Sequence, residues 1–181
     1  MNLFYRLFLT LNSTFLIISV YLIKEEYCIS FLTDFPKYIS YVIYILFPFF
    51  LTGISILVTR FLSDDNMECD AKDIEQANNA YLPSYLGYFF VALSVPFNDT
   101  LIFIYAILFL FTFFSQTLYF NPLFLLWGYK FYYITKDNNI KIFLISKKII
   151  RVSKNLNFQK LKRINDFTFI DIGGKNESVN S

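Results

Sequence analysis

Between Lys37 and Arg60 the chain runs through Tyr38–Thr59, 22 residues without one charged side chain. As a helix this stretch measures about 33 Å, close to the hydrocarbon thickness of a bilayer. In lipid the backbone must satisfy its own polar groups, so such a run is constrained to be helical. Three further apolar runs follow the same logic. Leu7–Ile23 lies between Arg6 and Lys24-Glu25-Glu26 and has no small-x-small site before those charges. It therefore reads as an uncleaved anchor rather than a signal peptide. Tyr81–Asn98 carries Pro83 in its first turn, where proline is tolerated. Leu101–Trp127 follows after a turn so short that the two must form an antiparallel hairpin.

The expected fold is thus an α-helical membrane protein, with four transmembrane helices plus a small C-terminal α+β cytoplasmic region. The helical domain spans residues 1–127, with crossings at about 7–23, 38–59, 81–98 and 101–121. A basic cytoplasmic α+β region covers 128–174, and 175–181 reads as a disordered tail. Composition agrees: 56% of residues are hydrophobic, above the roughly 45–50% of soluble domains.

Charge fixes the expected orientation. From Gly128 onward there are 11 Lys and Arg against 4 Asp and Glu, whereas the preceding residues hold 5 against 10. Basic residues mark the cytoplasmic side, so the C-terminal region belongs there, and four crossings return the N-terminus to the same side. The segment Arg60–Ala80, with 6 acidic and 2 basic residues, reads as a solvated or partner-facing cytoplasmic loop with room for a short surface helix, its negative charge answering the basic C-terminal region. It lacks the glycine and terminal glutamate of a calcium loop.

The stretch from Tyr119 to Lys148 describes a membrane exit. Pro122 has no N–H and crowds the carbonyl of Leu118, so Asn121-Pro122 is the candidate helix bend at the interface. Phe124, Trp127, Tyr129, Tyr132 and Tyr133 then form an aromatic belt. Beyond it, Phe131–Thr135 and Ile140–Ser146 flank turn-forming residues and read as a hairpin. The second of these strands is apolar on both faces, so both must be covered. Leu156–Ile164 has Phe158, Leu161 and Ile164 at helical spacing, and Phe167–Ile172 reads as a strand.

No chemistry-bearing constellation is visible. The chain has no His, two cysteines (Cys28 and Cys69), no glycine-rich phosphate loop and no nucleophile elbow, so it does not read as an enzyme and no cofactor or metal is expected. Asn12, Ser115, Gln116 and Thr117 are the candidate intramembrane polar contacts. Packing between helices is the simpler role for them, lining a pore the sharper one. Lys147, Lys148, Arg151, Lys162 and Arg163 form the candidate surface for a partner protein or for anionic membrane lipid. No nucleic-acid-binding module is visible, and direct binding to nucleic acid is not expected. Gly53, Gly87, Ala92 and Ala106 lie at apolar surfaces where small residues permit close helix approach, which favours a homo-oligomer.

Three stretches, "YLPSYLGYFFVALS", "YFNPLFLLWGYKFYYIT" and "LKRINDFTFID", in this order behind two earlier crossings, resemble the KwaA family. These are the small membrane subunits of Kiwa, a two-component bacterial antiphage system. The resemblance implies an inner-membrane, multi-pass, homo-oligomeric sensor of infection that recruits or activates a cytosolic DNA-binding partner, KwaB. It supplies no ligand residues. The alternative is a small channel or holin-like pore, in which polar positions of the first and fourth helices face water.

Overall fold

The apolar runs are helical in the computed structural model, which describes residues 3–32, 34–69, 71–80, 82–115, 122–150 and 156–173. Helix α1 (Leu3–Lys24) is central and packs against α2 (Lys37–Val58), α3 (Leu82–Ser94) and α4 (Asn98–Phe114). Its buried positions Tyr5, Leu9, Ser13, Ile17 and Tyr21 recur every four residues, one face of a helix. At one end Tyr21 donates to Asn98 Oδ1 (2.8 Å) and Lys24 Nζ donates to the Val95 carbonyl. At the other, Tyr5 donates to the Ser55 carbonyl (3.2 Å) and Arg6 to that of Phe113 (3.2 Å). These contacts set α2 and α4 antiparallel to α1. Pro48 within α2 leaves the Tyr44 carbonyl without its helical donor. Ser19 of α1 supplies the replacement at 2.8 Å, so the defect becomes an interhelical bond.

Four transmembrane helices are not what the chain builds. Among the described residues, only α1 and the stretch Lys37–Phe61 (α2 with the 3-10 turn Thr59–Phe61) are long and apolar enough to cross a membrane. With 13 residues α3 is about 20 Å long, and α4 with 17 is about 26 Å, both short of a bilayer core. The apolar runs overstate the helices because backbone geometry ends them first. Pro96 disfavours helical angles at Val95, and Ser115 is extended with ψ 134°, twelve residues before Trp127. The expected end of the fourth crossing, with Gln116, Thr117 and Asn121, lies outside the described residues.

The second correction is the sheet. The acidic stretch expected as a loop contains β1 (Asp64–Cys69) and β2 (Ala71–Gln76). They join β3 (Lys130–Lys136), β4 (Lys141–Ser146), β5 (Leu156–Asn165) and β6 (Thr168–Asp171) in one sheet, order β1-β5-β6-β4-β3-β2. Only β4 and β6 pair in parallel. β1 and β2 occupy opposite edges, yet Cys69 and Ala71 are two residues apart, at most about 7.6 Å. The sheet therefore curls until its edges meet. Its concave side encloses a core of Tyr132, Ile134, Ile142, Leu144, Phe158 and Leu161. Its other side, through Phe131, Phe143, Ile145, Ile164 and Ile170, shares a core with the helices. Both faces of β4 are covered, as its residues demanded.

The hairpin expected around Lys136–Asn139 forms as β3 and β4, with Asn139 at φ 61° in its turn. The strand expected at Phe167–Ile172 is β6. Leu156–Ile164, expected as a helix, is β5. Asp65 pairs with Leu161 and Met67 with Phe158, so three residues of β5 advance against two of β1. This bulge puts Phe158 and Leu161 on the same face at a spacing of three, which imitates a helical period.

Candidate functional site

The aromatic collar forms a joint between helix and sheet. Pro122 opens a one-turn helix, α5 (Leu123–Leu126), and Phe124 is fully buried against Tyr129 and Phe131. Gly128 follows with φ 80°, an angle costly for residues with a Cβ, and reverses the chain into β3. Trp127, the sole tryptophan, lies across α2: its ring stacks on Phe49 with centroids 5.0 Å apart and its Nε1 donates to the Phe49 carbonyl at 3.3 Å. Contact is possible because residue 53 is glycine. A Cβ there would stand 2.6 Å from Trp127 Cζ2.

Beside this joint is a cavity of about 690 Å³. One wall is the outer stripe of α2, Phe50, Ile54 and Leu57, all about half exposed. The opposite end carries Arg60, Lys147 and Tyr129, with Gly173 at the sheet rim. Lys147 Nζ sits 4.8 Å from the centroid of the Tyr129 ring. Tyr129 is almost fully buried, and its phenol is pushed up to about 12, chiefly by burial and secondarily by Asp171, with Arg60 opposing. It stays a neutral donor at ordinary pH, and its hydroxyl makes no hydrogen bond among the described residues. Asp171, the nearest buried carboxylate, is already held by Ser146 Oγ (2.8 Å), the Gly173 N–H (2.8 Å) and Lys148 (3.9 Å). Among the described residues neither Arg60 nor Lys147 makes an ion pair.

The basic residues singled out by sequence do not form one surface. Lys148 and Lys162 are buried; Lys162 meets Asp64 at 2.7 Å and the Leu62 carbonyl at 2.9 Å. Arg163 is exposed beside Asp166 (3.6 Å), Lys147 belongs to the cavity, and Arg151 lies outside the described residues. The expected attraction between acidic and basic segments is real, since Asp64–Lys162 and Glu75–Lys141 (3.0 Å) accompany the edge strands. Pro122 does not bend the fourth helix, because α4 ends at Phe114, eight residues earlier. Asn12 is buried and donates to Thr52 Oγ1 at 3.0 Å, tying α1 to α2. Ser115 caps α4, its N–H donating to the Phe111 carbonyl at 2.9 Å. Gly53 serves Trp127 within the chain, whereas among the described residues a Cβ at Gly87 would meet nothing within 4 Å beyond its chain neighbours and its own helix backbone, and Ala106 remains exposed.

A family described as "Anti-phage protein KwaA" matches residues 5–170 of the sequence. The chain belongs to the KwaA family. The match spans all four long helices, the collar and most of β6, so the family covers the helical layer and the sheet together. No curated protein and no solved structure matches the chain. Family membership establishes an anti-phage defence protein. Neither Arg60 nor Gly53 stood out in the sequence as part of a site. The available signal was a lone tryptophan at the end of an apolar run and a glycine within another.

Proposed function

We propose that this KwaA family member acts as the membrane component of its defence system, detecting infection at the bacterial inner membrane and passing that event to a cytosolic partner protein. The carrying observation is mechanical continuity. α2 reaches β1 through the turn Thr59–Phe61 and two further residues, Trp127 is seated on α2, and helices and sheet share one core. A displacement of α2 therefore moves the sheet, because Leu62 and Ser63 alone stand between its terminal turn and β1. Close packing makes such joints switch between arrangements rather than deform gradually.

Membrane location is supported by α1 and α2, which have spanning length, and by half-exposed apolar side chains along α2, α3 and α4 such as Phe47, Phe90 and Phe103. A water-exposed surface of that kind would aggregate. The N-terminus of α1 and the sheet lie at the same end, which the Lys and Arg bias assigns to the cytoplasm. The open positions Gly87 and Ala106 favour a homo-oligomer through helix packing. Exposed Lys160 and Arg163 suit an acidic partner surface. The resemblance supplies a partner of KwaB type, and no direct contact with nucleic acid is needed.

The test is co-purification of the partner from solubilised membranes at two salt concentrations. Recruitment should weaken with salt and be lost in Lys160→Glu/Arg163→Glu. Recovery of the chain in the soluble fraction would overturn the membrane reading. Full recruitment by the charge-reversed variant would overturn the partner surface.

A further inference from the structure

We infer that the cavity between α2, Trp127 and the rim of the sheet holds one anionic phospholipid, its phosphate headgroup at Arg60 and Lys147 and one acyl chain along Phe50, Ile54 and Leu57. This rests on the membrane reading above and gives it a specific ligand. The volume of about 690 Å³ falls within the range of small-molecule sites, roughly 300–1,000 Å³. Polarity is divided lengthwise. Phe50, Ile54 and Leu57 stand at positions i, i+4 and i+7 of α2, on one stripe that leads to Arg60 in the turn after the helix. The stripe is half exposed, so the groove is open sideways toward the surroundings of α2.

At its polar end the charges are of one sign. Arg60 and Lys147 are uncompensated among the described residues, while the Asp171 carboxylate behind them is already bonded by Ser146, Gly173 and Lys148. A guanidinium and an ammonium facing one space suit a phosphate, the first as a planar fork and the second as a point charge. The Tyr129 hydroxyl offers a further donor. A zwitterionic lipid would bring its own cation into this positive end and gain less. A free phosphate would leave the apolar stripe uncovered. A lipid fills both halves.

The experiment uses the position of the only tryptophan, Trp127, in the cavity wall. The full-length chain is reconstituted in phosphatidylcholine vesicles containing a small fraction of brominated phosphatidylglycerol or, separately, brominated phosphatidylcholine, and Trp127 fluorescence is recorded. Brominated phosphatidylglycerol should quench at lower mole fraction. Loss of either cation in Arg60→Gln or Lys147→Gln should raise the required fraction roughly fivefold, and loss of both roughly 25-fold. Lys72→Gln/Lys136→Gln, away from the cavity and from the partner surface, removes the same net charge and should leave the quenching unchanged. Inorganic phosphate should not relieve the quenching.

Equal quenching by the two brominated lipids would overturn the site while leaving the membrane reading intact. So would an equal loss in both double variants, which would indicate surface attraction alone. Relief by inorganic phosphate would overturn the lipid assignment in favour of a phosphate site. Absence of quenching by either lipid would overturn the membrane reading and this inference with it.

Discussion

Gly53→Ala tests the joint between the helices and the sheet. For an exposed helical position this exchange stabilises by about 1 kcal/mol, because alanine restricts the unfolded chain and favours helix. Here the new Cβ would lie 2.6 Å from Trp127 Cζ2 and 2.9 Å from Cη2. Carbon atoms in contact sit about 3.5–4.0 Å apart, so the indole must retreat by roughly 1 Å. Its hydrogen bond to the Phe49 carbonyl, 3.3 Å long at the outset, would then break, and the stack on Phe49 would open. The bond contributes about 0.5–1.5 kcal/mol and the stack a similar amount. A loss of about 1–3 kcal/mol outweighs the propensity gain, leaving net destabilisation of roughly 1 kcal/mol. Trp127 is 37% exposed and has room to swing outward, which keeps the loss near the middle of that range rather than at its top. Thermal unfolding in detergent measures the stability, and Trp127 emission reports the ring, with a red shift expected. Gly53→Leu should be worse on both counts. If Gly53→Ala raised stability by the full propensity gain with unchanged emission, the idea that Trp127 is pinned on α2 would be refuted.

The other predictions concern buried polar groups. Lys148→Ala leaves the Asp171 carboxylate without its buried cation and should destabilise by about 3 kcal/mol, whereas Lys148→Met with Asp171→Asn should cost clearly less; denaturant titration of the three chains distinguishes these outcomes. The phenol of Tyr129 is raised, so its contribution is complete below the ordinary tyrosine range near pH 10 and disappears as pH climbs toward about 12. Tyr129→Phe should therefore make the fall in stability between pH 10 and 12 less steep and remove one late step from the ultraviolet titration of the tyrosines. Asn12 donates to Thr52 while its Oδ1 accepts from no donor among the described residues. Asn12→Leu exchanges an interhelical bond of about 0.6 kcal/mol for relief of that buried oxygen. It should shift stability by less than about 1 kcal/mol and leave phage protection in plating assays unchanged; loss of protection in a stably folded variant would assign Asn12 a role beyond packing.

Some features were settled by residues acting over short distances. The 22 uncharged residues after Lys37 had to become a helix, because an unpaired peptide group in an apolar setting is costly whatever lies nearby. The turn at Lys136–Asn139 and the two-faced β4 follow likewise from local backbone preference and from side chains that reject water on both sides. Tertiary structure decided the rest. Helix lengths were set by where the backbone turned, at Pro96 and Ser115, and apolar content carried no sign of those stops within the runs. The acidic segment became two strands because β5 and β3 offered unpaired edges, with cations at Lys162 on β5 and at Lys141 on the neighbouring β4, partners about a hundred and about seventy residues away. β5 passed for a helix because a bulge gives a strand the same spacing of three, and a bulge exists only relative to the strand opposite. Burial separated the lysines that sequence grouped together: Lys148 faces the buried Asp171, the buried Lys162 reaches the exposed carboxylate of Asp64, and Lys147 is turned toward a cavity. The cavity itself brings residue 60 beside residue 147, a proximity that no local pattern encodes.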